Sequence, residues 1–187
     1  MDEAGFIEST LSNVANREIL ARLPSLGLSD AWLVSGALFQ TAWNRLTNRP
    51  LDYGIRDYDI FYFDADTSYE AEDNVIARAN AAFAGLNRTV EVRNQARVHL
   101  WFADRFGCDY PQLRRAEESL RYYASFVQAV GVRLTADDCL DVAAPFGLDD
   151  VFAMRIRPNH ALNNAASHTD KAARAKAIWP QVVIEPW

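Results

Sequence analysis

One alternating stretch constrains this chain more than any other: Arg56-Asp57-Tyr58-Asp59-Ile60-Phe61-Tyr62-Phe63-Asp64. Its aromatic and β-branched residues are typical of a strand. Because residues i and i+2 of a strand point to the same face of a sheet, Asp57 and Asp59 are predicted to project together from the strand entry. Two neighbouring carboxylates are costly to bury without a cation between them. A pair of Mg²⁺ ions holding a nucleotide triphosphate is the obvious candidate.

The bulk composition narrows the class of protein. A chain of 187 residues, half of them hydrophobic, suits one domain with a substantial core. The net charge of −6 argues against a protein that coats nucleic acid, since phosphate contacts need clustered Lys and Arg. Cys108 and Cys139 show no metal-binding spacing. With no signal peptide or apolar span in the sequence, we expect a cytoplasmic protein without membrane contact.

The hydrophobic spacing and the turn residues predict a mixture of helices and strands in one domain. We expect a core over residues 30–105 and a C-terminal extension over 106–187. The predicted helices cover residues 5–23, 37–46, 70–84, 111–129 and 169–178, with Ser68 capping the third. The predicted strands are 57–63, 89–93 and 97–102, and a hairpin pairs 130–134 with 139–142.

A tight turn, Ser35-Gly36-Ala37, precedes the second predicted helix. Glycine lets backbone N–H groups approach a phosphate closely, and a helix N-terminus adds its dipole to the attraction. The turn therefore predicts contacts to the phosphates of a nucleotide.

A third carboxylate, Glu91, lies between two valines in the next predicted strand. Two Mg²⁺ ions about 3.5–4 Å apart need several carboxylate oxygens, and they activate an attacking oxygen while offsetting charge on a leaving pyrophosphate. Glu91 could complete such a site with Asp57 and Asp59. Asn94 and Gln95, directly after this strand, are candidates for hydrogen bonds to a base or ribose.

These motifs resemble a known pattern. Gly36-Ala37 at a helix start, followed by Asp57-Tyr58-Asp59 entering a strand, resembles the signature of the DNA-polymerase-β-like nucleotidyltransferase superfamily. Ala37 stands where that signature has Gly or Ser, and the loop 47–56 lengthens the spacer. Over residues 30–185 the chain is more closely similar to a bacterial nucleotidyltransferase-like family. That similarity lies mainly in Arg56–Asp64, Val90–Trp101, Ala144–Asp150, Arg157-Pro158-Asn159 and Trp179-Pro180.

The resemblance implies an α+β nucleotidyltransferase fold, with a small mixed, mostly antiparallel sheet flanked by helices. It implies Mg²⁺-dependent (or Mn²⁺-dependent) transfer of a nucleoside monophosphate from an NTP to an acceptor, with release of pyrophosphate. Asp57, Asp59 and Glu91 would be the catalytic and metal-binding residues. Ser35, Gly36, Ala37, Asn94 and Gln95 would contact the substrate. The NTP, the acceptor and the oligomeric state stay open.

Each candidate residue also has a structural reading. Asp57 and Asp59 could cap a turn or pair with Arg56, and Glu91 could equally pair with Arg93 or Arg97. For Asn94 and Gln95 a structural role is slightly favoured over substrate binding, because Asn is common in turns. The basic set Lys171, Arg174 and Lys176 favours a solvated helix face over triphosphate binding. Trp43 and Trp101 suit a core, with base stacking as the alternative if they are exposed.

Two other functions compete with nucleotidyl transfer. A catalytically inactive nucleotide-binding or protein-interaction domain could retain the same fold. A haloacid-dehalogenase-like phosphatase also uses an Asp-x-Asp pair, but it needs an apolar strand before the pair and usually Thr or Val after it. Gly54-Ile55-Arg56 and Phe61 argue against that class.

Overall fold

The computed structural model describes residues 2–135, 137 and 139–187. Within them the chain forms a mixed α+β fold around a five-stranded sheet in the order β3-β2-β1-β4-β5. All neighbours in this sheet are antiparallel except β2 and β3. A parallel pair, β6 with β7, lies apart from it. The strands are β1 (Trp32–Val34), β2 (Asp57–Tyr62), β3 (Thr89–Asn94), β4 (Gly131–Leu134), β5 (Leu140–Ala143), β6 (Arg155–Ile156) and β7 (Val183–Ile184).

Helices connect these strands, and one of them makes the crossover between the parallel strands β2 and β3. Ser68 caps that helix as predicted, since its hydroxyl accepts a hydrogen bond from the N–H of Ala71 at 3.2 Å. The helices are α1 (Glu3–Ser12), α2 (Val14–Arg22), α3 (Gly36–Leu46), α4 (Tyr69–Phe83), α5 (Phe102–Phe106), α6 (Asp149–Phe152) and α7 (Ala165–Ile178).

The predicted helix 5–23 is broken in the middle by Asn13. Its backbone is extended there, and its side chain accepts from the N–H of Ala15 at 2.9 Å to cap α2. Its amide nitrogen also donates to Thr41 Oγ1 on α3 at 3.0 Å. The apolar spacing continues through Asn13, but the local cap and this tertiary bond end one helix and begin another.

Two predicted elements are wrong. Residues 97–102 form no strand, because the Asn94 side chain accepts from the N–H of Ala96 at 3.0 Å and turns the chain into a 3₁₀ helix, Gln95–Leu100. Residues 111–129 form no long helix but two short 3₁₀ helices, Ala116–Tyr122 and Phe126–Gln128. Between the two, Asn159 donates to the carbonyls of Arg121 and Tyr123, so tertiary contacts use backbone groups that a helix would need.

Alternation along β2 divides its side chains between the two faces of the sheet. Tyr58, Ile60 and Tyr62 are buried, whereas Asp57 and Asp59 are only partly buried. The buried set packs into the main core with residues of α1, α2, α3 and α4. The acidic residues therefore face away from that core, and the predicted alternation is confirmed.

The opposite face of the sheet carries a smaller core. Trp32 and Val34 of β1 pack there with Leu120 from the first 3₁₀ helix, and Phe61 joins them. The register explains this arrangement, since Trp32 is opposite Phe61 and Val34 is opposite Asp59. The predicted hairpin is confirmed as β4 and β5, and β4 pairs with β1 in the same sheet.

A buried amide joins three segments that are distant in the sequence. Asn44 of α3 is fully buried, and its nitrogen donates to the carbonyls of Leu51 and Tyr53 at 3.1 and 2.8 Å. Its oxygen accepts from the indole N–H of Trp179 at 2.8 Å. The ring of Trp179 lies edge-on to Trp43, with centroids 5.4 Å apart. The loop before β2 and the end of α7 are thus fixed to α3.

No helix among the described residues is long and apolar enough to cross a membrane.

Gly54, which has a positive φ of 74°, lies where the loop before β2 meets α7. A Cβ on Gly54 would lie 2.8 Å from Ile178 Cγ2, while one on Gly27, also at positive φ, would have nothing within 4 Å. We expect Gly27→Ala to cost about 1–2 kcal/mol of unfolding free energy through backbone strain alone. Gly54→Ala should cost about 1–3 kcal/mol more through overpacking.

Urea denaturation of both variants measures the difference. Equal losses of stability in the two variants would contradict the close packing of α7 against Gly54.

Candidate active site

The two acidic residues of β2 meet the turn between β1 and α3. Because Val34 is opposite Asp59, the residues that follow β1 lie next to the entry of β2. Ser35 and Gly36 line the same pocket as Asp57 and Asp59. The sequence-predicted carboxylate pair and the predicted phosphate-binding turn therefore converge in one place.

The backbone of Ser35 is unusual at this turn. Its φ is 56° and its ψ is −117°, a region that residues with a Cβ rarely adopt. Such a conformation costs about 1–3 kcal/mol and persists only where the surroundings fix it. Here the N–H of Ser35 donates to the carbonyl of Val130 at 2.8 Å, and its own carbonyl accepts from Leu38 at 2.9 Å. This backbone conformation places Gly36, at the N-terminus of α3, in the same pocket as the carboxylates.

The pocket has a volume of about 190 Å³ and is lined by groups of both charges. Its apolar wall includes Val127, Ile156 and Trp179, so α7 and the segment after it close one side. The polar lining residues are Ser35, Gly36, Gln40, Asp57, Asp59, Gln128, Lys171 and Arg174.

Lys171 and Lys176 of α7 are exposed, as the sequence favoured, but the basic residues of this helix also make specific contacts. Lys171 and Arg174 both line the pocket, and Arg174 donates to the carbonyl of Gly54 at 3.0 Å. Lys176 instead donates to the carbonyls of Pro180 and Val182, at 2.9 and 2.6 Å, and has a structural role. The three basic residues lie within six positions of one helix, and only tertiary packing decides which of them reach the site.

Asp59 has a strongly perturbed pKa in this site. Burial first, and then the neighbouring carboxylates of Asp57 and Glu91, raise its pKa to about 7. Lys171 and Arg93 act in the opposite direction but do not compensate. The site thus holds negative charge that the described side chains leave partly unbalanced, which is the condition that a bound cation would relieve.

The pKa of Lys171 is shifted in the opposite direction. Desolvation lowers its pKa, and the charges of Asp59 and Asp57 counteract part of that change. The residue as a whole is exposed, so the desolvation concerns the end of its side chain, which lies near the carboxylates and 5.8 Å from the centre of the Tyr123 ring.

Glu91 is next to Asp59 but is already paired. The parallel register places Glu91 beside Asp59, on the same face of the sheet. Its carboxylate forms an ion pair with Arg93 at 3.2 Å, and both side chains are nearly half exposed. Over residues 2–135, 137 and 139–187, no group of three or more acidic, His or Cys side chains is arranged to hold a metal ion. Glu91 thus lies beside Asp59 in the sheet, while its charge is engaged by Arg93.

Other predicted substrate-binding residues lie away from the pocket. The Asn94 amide donates to the carbonyl of Asp64 at 2.9 Å and accepts from the backbone N–H of Asp64 and Ala96 at 3.0 Å, so its bonding capacity is used structurally. Ala37 is fully buried, and its carbonyl accepts from Thr41 at 2.6 Å. Gln95 is buried beside a second cavity.

Sequence reasoning missed two glutamines of the pocket. Gln40 and Gln128 are both more than nine-tenths buried, and neither side-chain oxygen has a hydrogen-bond partner among the described residues. Gln40 follows Gly36 by four residues, the spacing that places two side chains on one face of a helix, so it could have been found. Gln128 lies in the segment that was predicted as a helix, where no sequence signal marks it.

A model of the family described as nucleotidyltransferase matches residues 21–184. The chain belongs to this nucleotidyltransferase family. The match includes both carboxylates of β2, the Ser35-Gly36 turn and the cations of α7.

A solved structure supports the fold of this family member. It is described as an NMR structure that reveals a CCA-adding enzyme head domain, with a TM-score of 0.80 and 20% identity, covering all of this chain and 97% of the other. A second, described as tRNA-processing enzyme complex 3, has a TM-score of 0.46 and 15% identity, with coverages of 84% and 40%. No curated protein sequence matches the chain. The predicted nucleotidyltransferase fold is confirmed.

The raised pKa of Asp59 predicts how stability depends on pH without metal. Between about pH 4, its unfolded pKa, and pH 7, the folded protein binds more protons than the unfolded chain, so stability falls as pH rises. Above pH 7 the loss is complete. Asp59→Asn should remove it and stabilise the protein at about pH 8 by roughly 2–4 kcal/mol, with little gain near pH 4.

Urea denaturation in EDTA across this pH range tests the expectation. Asp109→Asn, at an exposed residue, controls for the loss of one negative charge. A gain that is the same at both ends of the range would contradict it.

Proposed function

We propose that this chain transfers a nucleoside monophosphate from an NTP to an acceptor and releases pyrophosphate. In this reaction an acceptor oxygen bonds to the α-phosphorus, and the bond from that phosphorus to the oxygen bridging to the β-phosphate breaks. The observation that carries the proposal is the convergence of Asp57 and Asp59, the strained Ser35-Gly36 turn and two cations in one pocket. Family membership supports the reaction class.

Asp57 and Asp59 are the residues that would hold Mg²⁺ or Mn²⁺. They lie on one face of β2, they line the pocket, and the pKa of Asp59 is raised by burial and by the neighbouring carboxylates. Hard oxygen ligands with excess negative charge suit these ions. When bound, such ions polarise the attacking oxygen and offset charge on the leaving group. Glu91 would contribute only after its ion pair with Arg93 opens.

The triphosphate would lie between the turn and α7. The free backbone N–H groups at the start of α3 would donate to the phosphates. The dipole of this helix of eleven residues would add to the attraction for them. Lys171 and Arg174 supply positive charge from the opposite wall. Because both are partly desolvated, their attraction for phosphate is stronger than at an open surface.

A second candidate function is a nucleotide-binding or protein-interaction domain without catalysis. The ion pair between Glu91 and Arg93 favours it, because that pair engages the carboxylate that lies beside Asp59 in the sheet. Such a domain would bind NTP and metal but release no pyrophosphate. The two functions therefore differ in one measurable product.

The first test is a screen of the four NTPs with Mg²⁺ or Mn²⁺, with pyrophosphate release and calorimetric binding as readouts. We expect the double variant Asp57→Asn/Asp59→Asn to lose metal-dependent binding and to reduce release about a hundredfold or more, since the ions supply several kcal/mol. The Asp109→Asn variant should match the wild type. Metal-dependent nucleotide binding that survives the double substitution would rule out the proposed site.

The second test concerns the cations of α7. Lys171→Met should weaken NTP binding about tenfold, the value of one charge-assisted hydrogen bond. Arg114→Met is the matched control, because Arg114 is an exposed cation that does not line the pocket. Similar affinities of the two variants would show that Lys171 lies outside the phosphate site.

A further inference from the structure

A second cavity, of about 230 Å³, adjoins the carboxylate pocket. We call it the aromatic cavity, because aromatic rings form most of its wall. Drug-sized ligands occupy pockets of about 300–1,000 Å³, so this volume suits a single ring system. The rings are Phe61, Trp101, Phe102, Phe106, Tyr110, Tyr122 and Tyr123.

The rings come from separate parts of the chain and are arranged against one another. Phe102 lies 4.6 Å from Tyr110 in a tilted contact, and Tyr110 meets Tyr122 edge to face at 5.2 Å. Phe61 and Tyr123 stack at 6.1 Å with an interplanar angle of 7°. Phe61 follows Asp59 by two residues on the same face of β2, so the cavity begins beside the site.

A polar group in this wall lacks a partner. Asn164 lines the cavity, its Oδ1 atom is buried, and that atom accepts no hydrogen bond from any residue that the structure describes. Asn164 precedes α7 but does not cap it through its side chain. A buried, unsatisfied carbonyl costs free energy unless a donor reaches it. A ligand with an N–H group would supply that donor.

Lys171 connects the two cavities. It lines both of them, it lies over the Tyr123 ring, and its charge acts on Asp59. Arg93 also lines the aromatic cavity. A planar ligand among the rings would therefore direct any anionic arm toward positive charge and toward the carboxylates.

We propose that the aromatic cavity binds the nucleobase of a nucleotide whose phosphates point past Lys171. Aromatic walls bind bases through their faces, the Asn164 carbonyl accepts from an N–H of the base edge, and the cation suits the phosphate arm. An acyl chain would fill the same space, but it would leave the Asn164 carbonyl without a donor and Lys171 without an anion. The location beside the carboxylates rests on the proposed function, whereas base binding itself does not.

The base could belong to the donor NTP or to a nucleotidyl acceptor, and the experiment separates them. Adenosine, guanosine, cytidine and uridine are titrated by NMR in EDTA, which removes any contribution of metal. Phe102→Leu keeps apolar volume but removes a π-face, and we expect about tenfold weaker binding. Asn164→Ala should weaken binding and reduce differences among the four bases. Tyr53→Leu, at an exposed ring outside the cavity, is the matched control.

A donor base is indicated if an α,β-methylene NTP with Mg²⁺ displaces the nucleoside, and an acceptor base if both bind together. The proposal is overturned if no nucleoside shifts wild-type resonances, or if Phe102→Leu and Asn164→Ala bind as tightly as Tyr53→Leu while circular dichroism shows all three folded. Nucleoside binding without pyrophosphate release from any NTP would refute the proposed function and leave the cavity assignment intact. Pyrophosphate release without nucleoside binding would support the proposed function and refute the cavity assignment.

Discussion

The arrangement of the site depends on the buried amide of Asn44. Its three hydrogen bonds join helix α3, the loop that delivers the chain to β2, and Trp179 at the end of α7. Those three segments supply the turn, the carboxylates and the cations of the pocket. An amide can do this because it donates twice and accepts once in the same place. Replacing it would leave buried partners unsatisfied, so the site and the local packing are energetically linked.

A second constraint is the alternation of β2. Tyr58, Ile60 and Tyr62 bury one face against the helices, which forces Asp57 and Asp59 to the other face. That face is covered only in part, by 3₁₀ helices and α7, and the incomplete cover leaves the carboxylate pocket and the aromatic cavity open. Desolvation within this partly covered site is the main cause of both perturbations, because it raises the pKa of Asp59 and lowers the pKa of Lys171.

Local patterns predicted the fold well wherever neighbouring residues decide the structure. Strand β2, helix α3, the Ser68 cap and the β4–β5 hairpin depend on alternation, periodicity and turn residues. The predictions failed at residues 97–102 and 111–129, where side chains distant in sequence or a local Asn cap compete for backbone hydrogen bonds. In the site, Asp57 and Asp59 with Ser35 and Gly36 came from sequence motifs, whereas Asn94 had the right type of side chain but uses it structurally.

The sequence by itself indicated the nucleotidyltransferase class through its resemblance to known families. Spacing along the chain determined the shared face of Asp57 and Asp59 and the turn ahead of α3. Only the tertiary structure decided that Lys171 and Arg174 reach the carboxylate pocket while Lys176 does not. It alone also brought Gln40 and Gln128 to the pocket and gathered the aromatic cavity. The physical reason is that these relations depend on how α7 and the 3₁₀ segments pack across the sheet.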